Sequence, residues 1–495
     1  MSEENSSYRQ IFKATSIFGG VQVFNILISM IRSKFIAILL GPSGMGIAGL
    51  LSSTVAIISS LTSFGLGTIS VKDIASANEQ KDNKKLLYAV AVLNRLVWYT
   101  GALGTVFTLV LSPYLSKLTF DSYGYTWSFI FLSVTLFLGQ LTLGKDAVLQ
   151  GTRELKWLAY ANMLSSLLSL IITLPLYFFY GLGGIVPAMI IVASTTLVIT
   201  QYFYSKLKFS PPKISSQETL VKGKTMMKTG FFLSLSGLII TACSYLVRIF
   251  ITRTGNLEDV GFYNAGFAII NSYVGIVFTA MATDYYPRLS AVINDKIKFI
   301  SVVNQQGNVA LIILGPILTI FIVFINIAII LLYSEKFLPI STMMQYSAIG
   351  VFFKAASWLL GFVVLSKGST KIYFWCELLA NIYMTILNCL GFYFWGLDGL
   401  GISFIVGYIL YLIQMLVVTN KFYGFHFDGN FIKIFFIQLL VAGLGLLCMR
   451  ITSNIIFSYI MGSILIIIAS SFSLYNVNKI VNIKNILLKI NGKKK

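Results

Sequence analysis

Fourteen continuous apolar stretches dominate the chain, at roughly 11–40, 45–71, 86–111, 125–149, 157–180, 183–205, 226–253, 260–285, 306–333, 340–366, 372–394, 399–420, 431–450 and 455–475. Each is long enough to cross a bilayer as an α-helix, which takes about 20 residues. Within hydrocarbon only helices and closed barrels satisfy their own backbone hydrogen bonds. Barrel strands alternate in polarity over about 10 residues, whereas these runs are apolar throughout. The predicted fold is therefore all-α, a polytopic membrane protein of about fourteen transmembrane helices. Composition excludes the alternative of a soluble protein. The chain is 57% hydrophobic and only 11% charged, against about 25% charged in soluble domains. Met1 to Gln10 is polar, carries Glu3 and Glu4, and lacks the basic-then-apolar order of a cleavable signal, so the first run is expected to be a retained helix.

The net charge of +20 would suggest nucleic acid in a soluble chain. Here its distribution has a simpler meaning. With the N-terminus in the cytoplasm, the outer loops hold only Lys117, Arg253, Lys336 and Arg450, and most other basic residues fall in inner segments such as Lys81, Lys84 and Lys85. This is the positive-inside pattern, and an even number of helices puts both termini inside. No nucleic-acid partner is expected. The longest inner linker, about 206–225, contains Pro211 and Pro212 and separates six helices from the next six. A weak repeat agrees with that division: Arg32 precedes a turn before Gly46, and Arg248 precedes a turn before Gly261. The expected organisation is an N-terminal lobe at 1–210, a cytoplasmic linker at 211–225, a C-terminal lobe at 226–425, two further helices at 426–478 and a basic tail at 479–495.

Five basic residues lie inside the spans, Arg32, Lys34, Arg95, Arg248 and Lys354, against one acid, Glu377. A charge at membrane depth costs at least about 2.5–3.5 kcal/mol, so it normally faces a cavity or a partner. One acid cannot neutralise five bases. On helix 1, Gln22, Asn25, Ser29 and Arg32 share one face; on helix 7, Thr241, Ser244, Tyr245 and Arg248 do. Asn264 and Asn271 share a face of helix 8. Two polar stripes, each ending in Arg, are the expected lining of a cationic cavity. Arg32 and Arg248 are its principal candidates, with Arg95 and Lys354 supporting. Lys34 points away from Arg32 and can instead snorkel to the headgroups. Glu377 is a candidate coupling group or a surface partner of Lys367 or Lys371. The planar fork of Arg suits phosphate, so the cavity is expected to take an anionic, hydroxylated cargo.

Other chemistry finds no support in the sequence. Gly139 to Lys145 reads G-x-x-x-x-G-K, but Asp146 follows where a P-loop needs Ser or Thr, and no strand precedes it. The four cysteines sit in apolar runs without metal-ligand spacing, and His426 is the sole histidine. No metal or other cofactor is expected.

Arg32 to Gly49, with Leu40-Gly41-Pro42-Ser43-Gly44-Met45-Gly46-Ile47-Ala48-Gly49, together with Gly65-Leu66-Gly67 and Tyr286-Pro287-Arg288-Leu289-Ser290, resembles segments of Wzx-type polysaccharide-unit flippases. Their superfamily also includes lipid II flippases and MATE-type multidrug exporters. The resemblance implies a V-shaped pair of six-helix lobes plus two C-terminal helices, the latter able to form a groove for a lipid tail. It implies a transporter and not an enzyme. The cargo would be an oligosaccharide on undecaprenyl pyrophosphate, an O-antigen, capsule or related unit, moved from the inner to the outer leaflet of a bacterial inner membrane. Membrane lipids, a polysaccharide polymerase and assembly proteins are the implied partners. Two other readings remain. A MATE-like cation exporter would require cavity acids, and a membrane polymerase or glycosyltransferase would require a sizeable outer loop.

Overall fold

The computed structural model describes residues 2–451 and 454–481, with side chains at most positions from Gly20 onward. The expected basic tail lies outside the described residues from 482 on. All regular structure among the described residues is helical. The chain divides into two compact units, 1–264 and 265–495.

The first unit contains α1 (Ser2–Leu39), α2 (Gly41–Thr62), α3 (Leu66–Glu79), α4 (Asn83–Phe120), α5 (Thr126–Gly151), α6 (Leu155–Tyr180), α7 (Ile185–Ser205), α8 (Ser216–Thr254) and most of α9 (Leu257–Ala268). The second contains a π-helical turn, Ile269–Val274, followed by α10 (Gly275–Val292), α11 (Lys296–Val323), α12 (Ile325–Leu332), α13 (Ser341–Ser366), α14 (Thr370–Tyr423), α15 (Gly429–Ile451) and α16 (Ile455–Val481). Eleven stretches of the described residues are long and apolar enough to cross a membrane. Two of them, Leu155–Ser205 and Thr370–Tyr423, hold two helices each: α6 with α7, and the halves of α14 on either side of a break at Gly396. The predicted eighth span, α9 to α10, is not among the eleven.

Boundaries differ from the sequence expectation where caps and turns decide them. The second apolar run is broken by Phe64 (φ 48°) and Gly65 (φ 64°), so α2 stops at Thr62 and α3 continues as a separate helix with Leu66, Ile69 and Ile74 buried. Helix α8 begins at Ser216, inside the expected linker. Ser215 and Glu218 form a reciprocal capping box there, which satisfies the first free N–H groups without needing apolar residues.

Glycines set the closest approaches. A side chain at Gly46 would collide with the Leu257 carbonyl, and one at Gly261 with the Pro42 backbone; these are the two glycines of the weak repeat, packed against each other. The repeat goes further. Phe178-Phe179-Tyr180-Gly181-Leu182-Gly183-Gly184 joins α6 to α7, and Tyr393-Phe394-Trp395-Gly396-Leu397-Asp398-Gly399 joins the halves of α14. Gly181 (φ 53°, ψ −130°) and Gly396 (φ 57°, ψ −136°) adopt nearly the same backbone, one open only to glycine. In both turns the closing glycine meets a carbonyl eight positions back, Leu176 for Gly184 and Gly391 for Gly399. Gly181 and Gly396 are 215 residues apart, as are Gly46 and Gly261. An internal duplication is thus written in the turns.

The core of the first unit joins α3, α4 and α5 through Leu66, Ile69, Ile74, Val90, Leu93, Val97 and Val148. In the second unit α11 is the central helix. It packs on α13, α15 and α16, with Leu311, Leu314, Leu318 and Ile322 buried. The two last helices are tied to it by close contacts: Gly315 of α11 faces Gln438 of α15, and Gly462 of α16 faces Val323.

Candidate functional site

The helix 1 stripe lies along α1. Arg32 is half-buried and its Nη1 donates to Ser169 Oγ of α6 at 3.0 Å. Asn25 has its Oδ1 buried without a hydrogen-bond partner among the described residues. Ser29 is half-buried, Gln22 is exposed, and Lys34 is half-buried. Ser169, which holds Arg32, gave no sequence signal beyond being a polar residue in an apolar run.

The helix 7 stripe divides in two. Arg248 and Ser244, on one face of α8, converge with Asn264 of α9. Arg248 Nε donates to Asn264 Oδ1 at 2.8 Å. Its Nη1 donates to the Ser244 carbonyl at 3.1 Å and to Ser244 Oγ at 2.5 Å. The guanidinium also lies 5.5 Å from the Tyr263 ring centre. Asn264 is fixed in turn, its Nδ2 donating to the Met45 carbonyl at 3.4 Å. Tyr245, by contrast, is only 5% exposed and belongs to a packed hydroxyl cluster. Its hydroxyl is 2.6 Å from Thr119 Oγ1 and 3.3 Å from Thr54 Oγ1, which joins α2, α4 and α8. Thr241 bonds back to the Gly237 carbonyl at 2.8 Å. A Thr hydroxyl one turn along its own helix is a local interaction and needs no cavity.

In the second unit Lys354 of α13 donates to Asn271 Oδ1 at 3.3 Å. Asn271 sits in the π-helical turn, and such turns recur at functional sites. Three aromatic rings surround the ammonium: Tyr408 at 5.5 Å, Phe278 at 5.9 Å and Phe404 at 5.9 Å. Glu377 accepts a hydrogen bond from the Tyr411 hydroxyl. Among the described ion pairs none joins Glu377 to Lys367 or Lys371. Lys367 Nζ is held by the Ile293 carbonyl at 2.5 Å, while the glycine break in α14 folds Tyr411 back onto Glu377. Arg95 of α4 is half-buried with Nη1 lacking a partner among the described residues.

The described ion pairs are Lys85–Asp82, Lys117–Asp121, Arg153–Glu79, Arg288–Asp284 and Lys298–Asp295. None includes Arg32, Arg95, Arg248 or Lys354. The intramembrane cations with described partners are held by neutral oxygens and ring faces, which orient a positive charge without cancelling it. Such groups can exchange a neutral partner for an anionic one.

A family model described as "Polysaccharide biosynthesis protein" matches residues 11–293, more than half of the chain. The chain belongs to the polysaccharide biosynthesis protein family. A lipid III flippase of Escherichia coli K12 is 21% identical over 362 residues, 70% of this chain and 83% of the relative. Lipid II flippase MurJ in an inward closed conformation superposes with a TM-score of 0.73 at 14% identity, over 93% of this chain and 98% of that one. An inward-facing MATE-family multidrug transporter of the MOP superfamily superposes with a TM-score of 0.67 at 14% identity, over 81% of this chain and 94% of that one. These likenesses establish a MATE/MOP-like fold for this polysaccharide biosynthesis protein and, with the apolar spans, a multi-pass membrane protein. The helix-turn-helix segment Arg32 to Gly49, the Gly65-Leu66-Gly67 turn and the Tyr286 to Ser290 segment all fall within the matched region.

Proposed function

We propose that the chain is a flippase for an oligosaccharide carried on undecaprenyl pyrophosphate, an O-antigen, capsule or related repeat unit. It moves its cargo from the inner to the outer leaflet of a bacterial inner membrane by alternating access. The lobes at 1–210 and 226–425 move about the linker, and both termini lie in the cytoplasm. The observation that carries the reading is that the described partners of Arg248 are the neutral groups of Asn264, Ser244 and Tyr263, and that Lys354 donates to the neutral Asn271. Two cations within the spans thus keep their charge available for an anion. In this state Asn264 and Ser244 occupy Nε and Nη1 of Arg248. A pyrophosphate oxygen pair would displace at least one of them to engage the fork, gaining a charge-assisted pair for a neutral one. Arg32 would hold the second part of the anion, with Arg95 and Lys34 adding to the positive field. Gln22, Asn25, Ser29 and Thr241 would meet sugar hydroxyls, and Tyr245 would brace the helix that carries Arg248. Glu377, capped by Tyr411, would serve as a coupling group. Membrane lipids, a polymerase and assembly proteins would act alongside.

A MATE-like cation exporter needs carboxylates where this chain presents guanidinium and ammonium groups. The deciding experiment places Arg32→Ala and Arg248→Ala at native expression in a strain lacking the wild-type gene and measures surface polysaccharide. Both variants are expected to lose most of the display while remaining folded in the membrane. Normal display in both would remove the site assignment.

A further inference from the structure

The first half of α8 carries a site that the arginine stripes do not use. The helix is 39 residues long, but its apolar window is only Ser234–Thr254. The turns from Ser216 to Phe232 lie outside that window and pack along α4 and the turn between α2 and α3. Two glycines set the contact. Gly223 and Gly230 are seven residues apart, two helical turns, and so share a face. A side chain at Gly223 would collide with Leu96 of α4, and one at Gly230 with the Phe64 carbonyl.

Beside this face lies a cavity of about 520 Å³ with apolar walls of Phe64, Leu96, Met227, Phe231 and Phe232. The rings of Phe231 and Phe232 stand edge to face, their centres 6.2 Å apart. Phe64 joins the wall from a left-handed backbone, φ 48°, which is uncommon for a bulky residue and recurs at ligand clamps. The charged part of the lining is cationic. Lys224 and Lys228 are one helical turn apart, and both are exposed. Like charges at this spacing repel, and none of the described ion pairs includes either lysine. Glu218, the one acid of α8, is occupied in the capping box. Asp73 lies with Lys85 and Lys222 in the lining of a separate cavity. An apolar slot that ends in two ammonium groups, next to the start of an apolar span, fits an amphiphile with an anionic head. A free anion such as inorganic phosphate would leave the phenyl walls unused, and a zwitterionic lipid brings no net charge to the lysines.

We propose that this cavity holds an anionic glycerophospholipid of the surrounding leaflet as a bound component that is not transported. Its phosphate bridges Lys224 and Lys228, and an acyl chain lies along Met227, Phe231, Phe232 and Phe64. The lipid relieves the repulsion between the lysines and fills the gap between α8, α4 and the α2–α3 turn. It thereby braces the half of α8 that precedes the apolar span.

The test titrates delipidated full-length protein in detergent with dioleoyl phosphatidylglycerol or dioleoyl phosphatidylcholine and counts bound lipid by native mass spectrometry. Wild type is expected to take up one phosphatidylglycerol at a several-fold lower concentration than phosphatidylcholine. That preference is expected to disappear in Lys224→Gln/Lys228→Gln and to persist in Lys84→Gln/Lys213→Gln, which removes two exposed lysines outside the cavity. Equal uptake of the two lipids by wild type, or an undiminished preference in Lys224→Gln/Lys228→Gln, would overturn the proposal. An equal loss in both double variants would overturn it too, since general surface charge would then explain the preference. Undecaprenyl pyrophosphate is finally added to wild type loaded with phosphatidylglycerol. Retention of the phospholipid is expected, and its displacement by an equimolar amount would assign the cavity to a carrier lipid and overturn the proposal. Because neither oligosaccharide cargo nor movement between leaflets is measured, the outcome is independent of the transport reading.

Discussion

Arg248 is held at three polar groups and one ring. Its fork is spread over a side-chain amide, a hydroxyl and a carbonyl, and its flat face lies near Tyr263. A lysine cannot reproduce this, since an ammonium is a point donor without a planar fork. Arg248→Lys is expected to keep the charge and lose about one charge-assisted hydrogen bond, worth about 1.5–3 kcal/mol. Surface glycan or transport rate should fall by roughly one to two orders of magnitude, with protein level unchanged on immunoblot. That Ser244 and Arg248 share a face was legible from helical periodicity, but their meeting with Asn264 was not, because Asn264 lies on the next helix. Tyr245 was legible as polar but not as packed. Its burial depends on Thr54 and Thr119, which come from helices that periodicity along α8 does not see.

At the level of elements, glycine turns and caps carry the prediction. Gly65 adopts φ 64°, and a side chain there would meet the Gly230 carbonyl of α8. Gly65→Ala is expected to cost at least about 1–2 kcal/mol from the left-handed backbone alone, seen as a lower melting midpoint of the purified protein. The N-termini of α4 and α11 depend on Asp82, which accepts from the Lys85 N–H at 3.0 Å, and Asp295, which accepts from the Lys298 N–H at 3.1 Å. These backbone N–H groups hold both carboxyls below their ordinary value. A lowered carboxyl contributes stability that is present above the unfolded-state value of about 4 and is lost as pH falls through the folded one. Acidification below about pH 4 should thus raise amide exchange in the first turns of α4 and α11 before their interiors. Gln438 offers a third element-scale check. It donates to Ser473 Oγ at 2.8 Å and so joins α15 to α16. Gln438→Leu is expected to cost about 0.6 kcal/mol, the usual worth of a hydrogen bond between membrane helices, in a double-mutant cycle with Ser473→Ala.

For the whole molecule, apolar length and continuity carried the all-helical, multi-pass architecture, whereas the MATE/MOP-like fold was implied by the resemblance of the turn segments and is shown by the structural likenesses. What sequence alone blurred was where helices stop. The α2–α3 break rests on two residues of positive φ, and the early start of α8 rests on one capping box, neither of which changes hydropathy much. The repeat was faint in the sequence because few identities mark it, and the matching turn conformations are visible only in the backbone. Gly181 and Gly396 preserve a backbone conformation. The positive charge within the spans is the feature that joins architecture to activity. It is most directly tested by flipping in proteoliposomes that hold the purified protein and a fluorescent oligosaccharide on undecaprenyl pyrophosphate, with membrane-impermeant reductant reporting the exposed leaflet. The account predicts that wild-type protein moves this lipid between leaflets, that the Arg32→Ala/Arg248→Ala double variant does not, and that a neutral analogue lacking the pyrophosphate is left in place. Equal movement of the neutral analogue, or undiminished movement by the double variant, would contradict it.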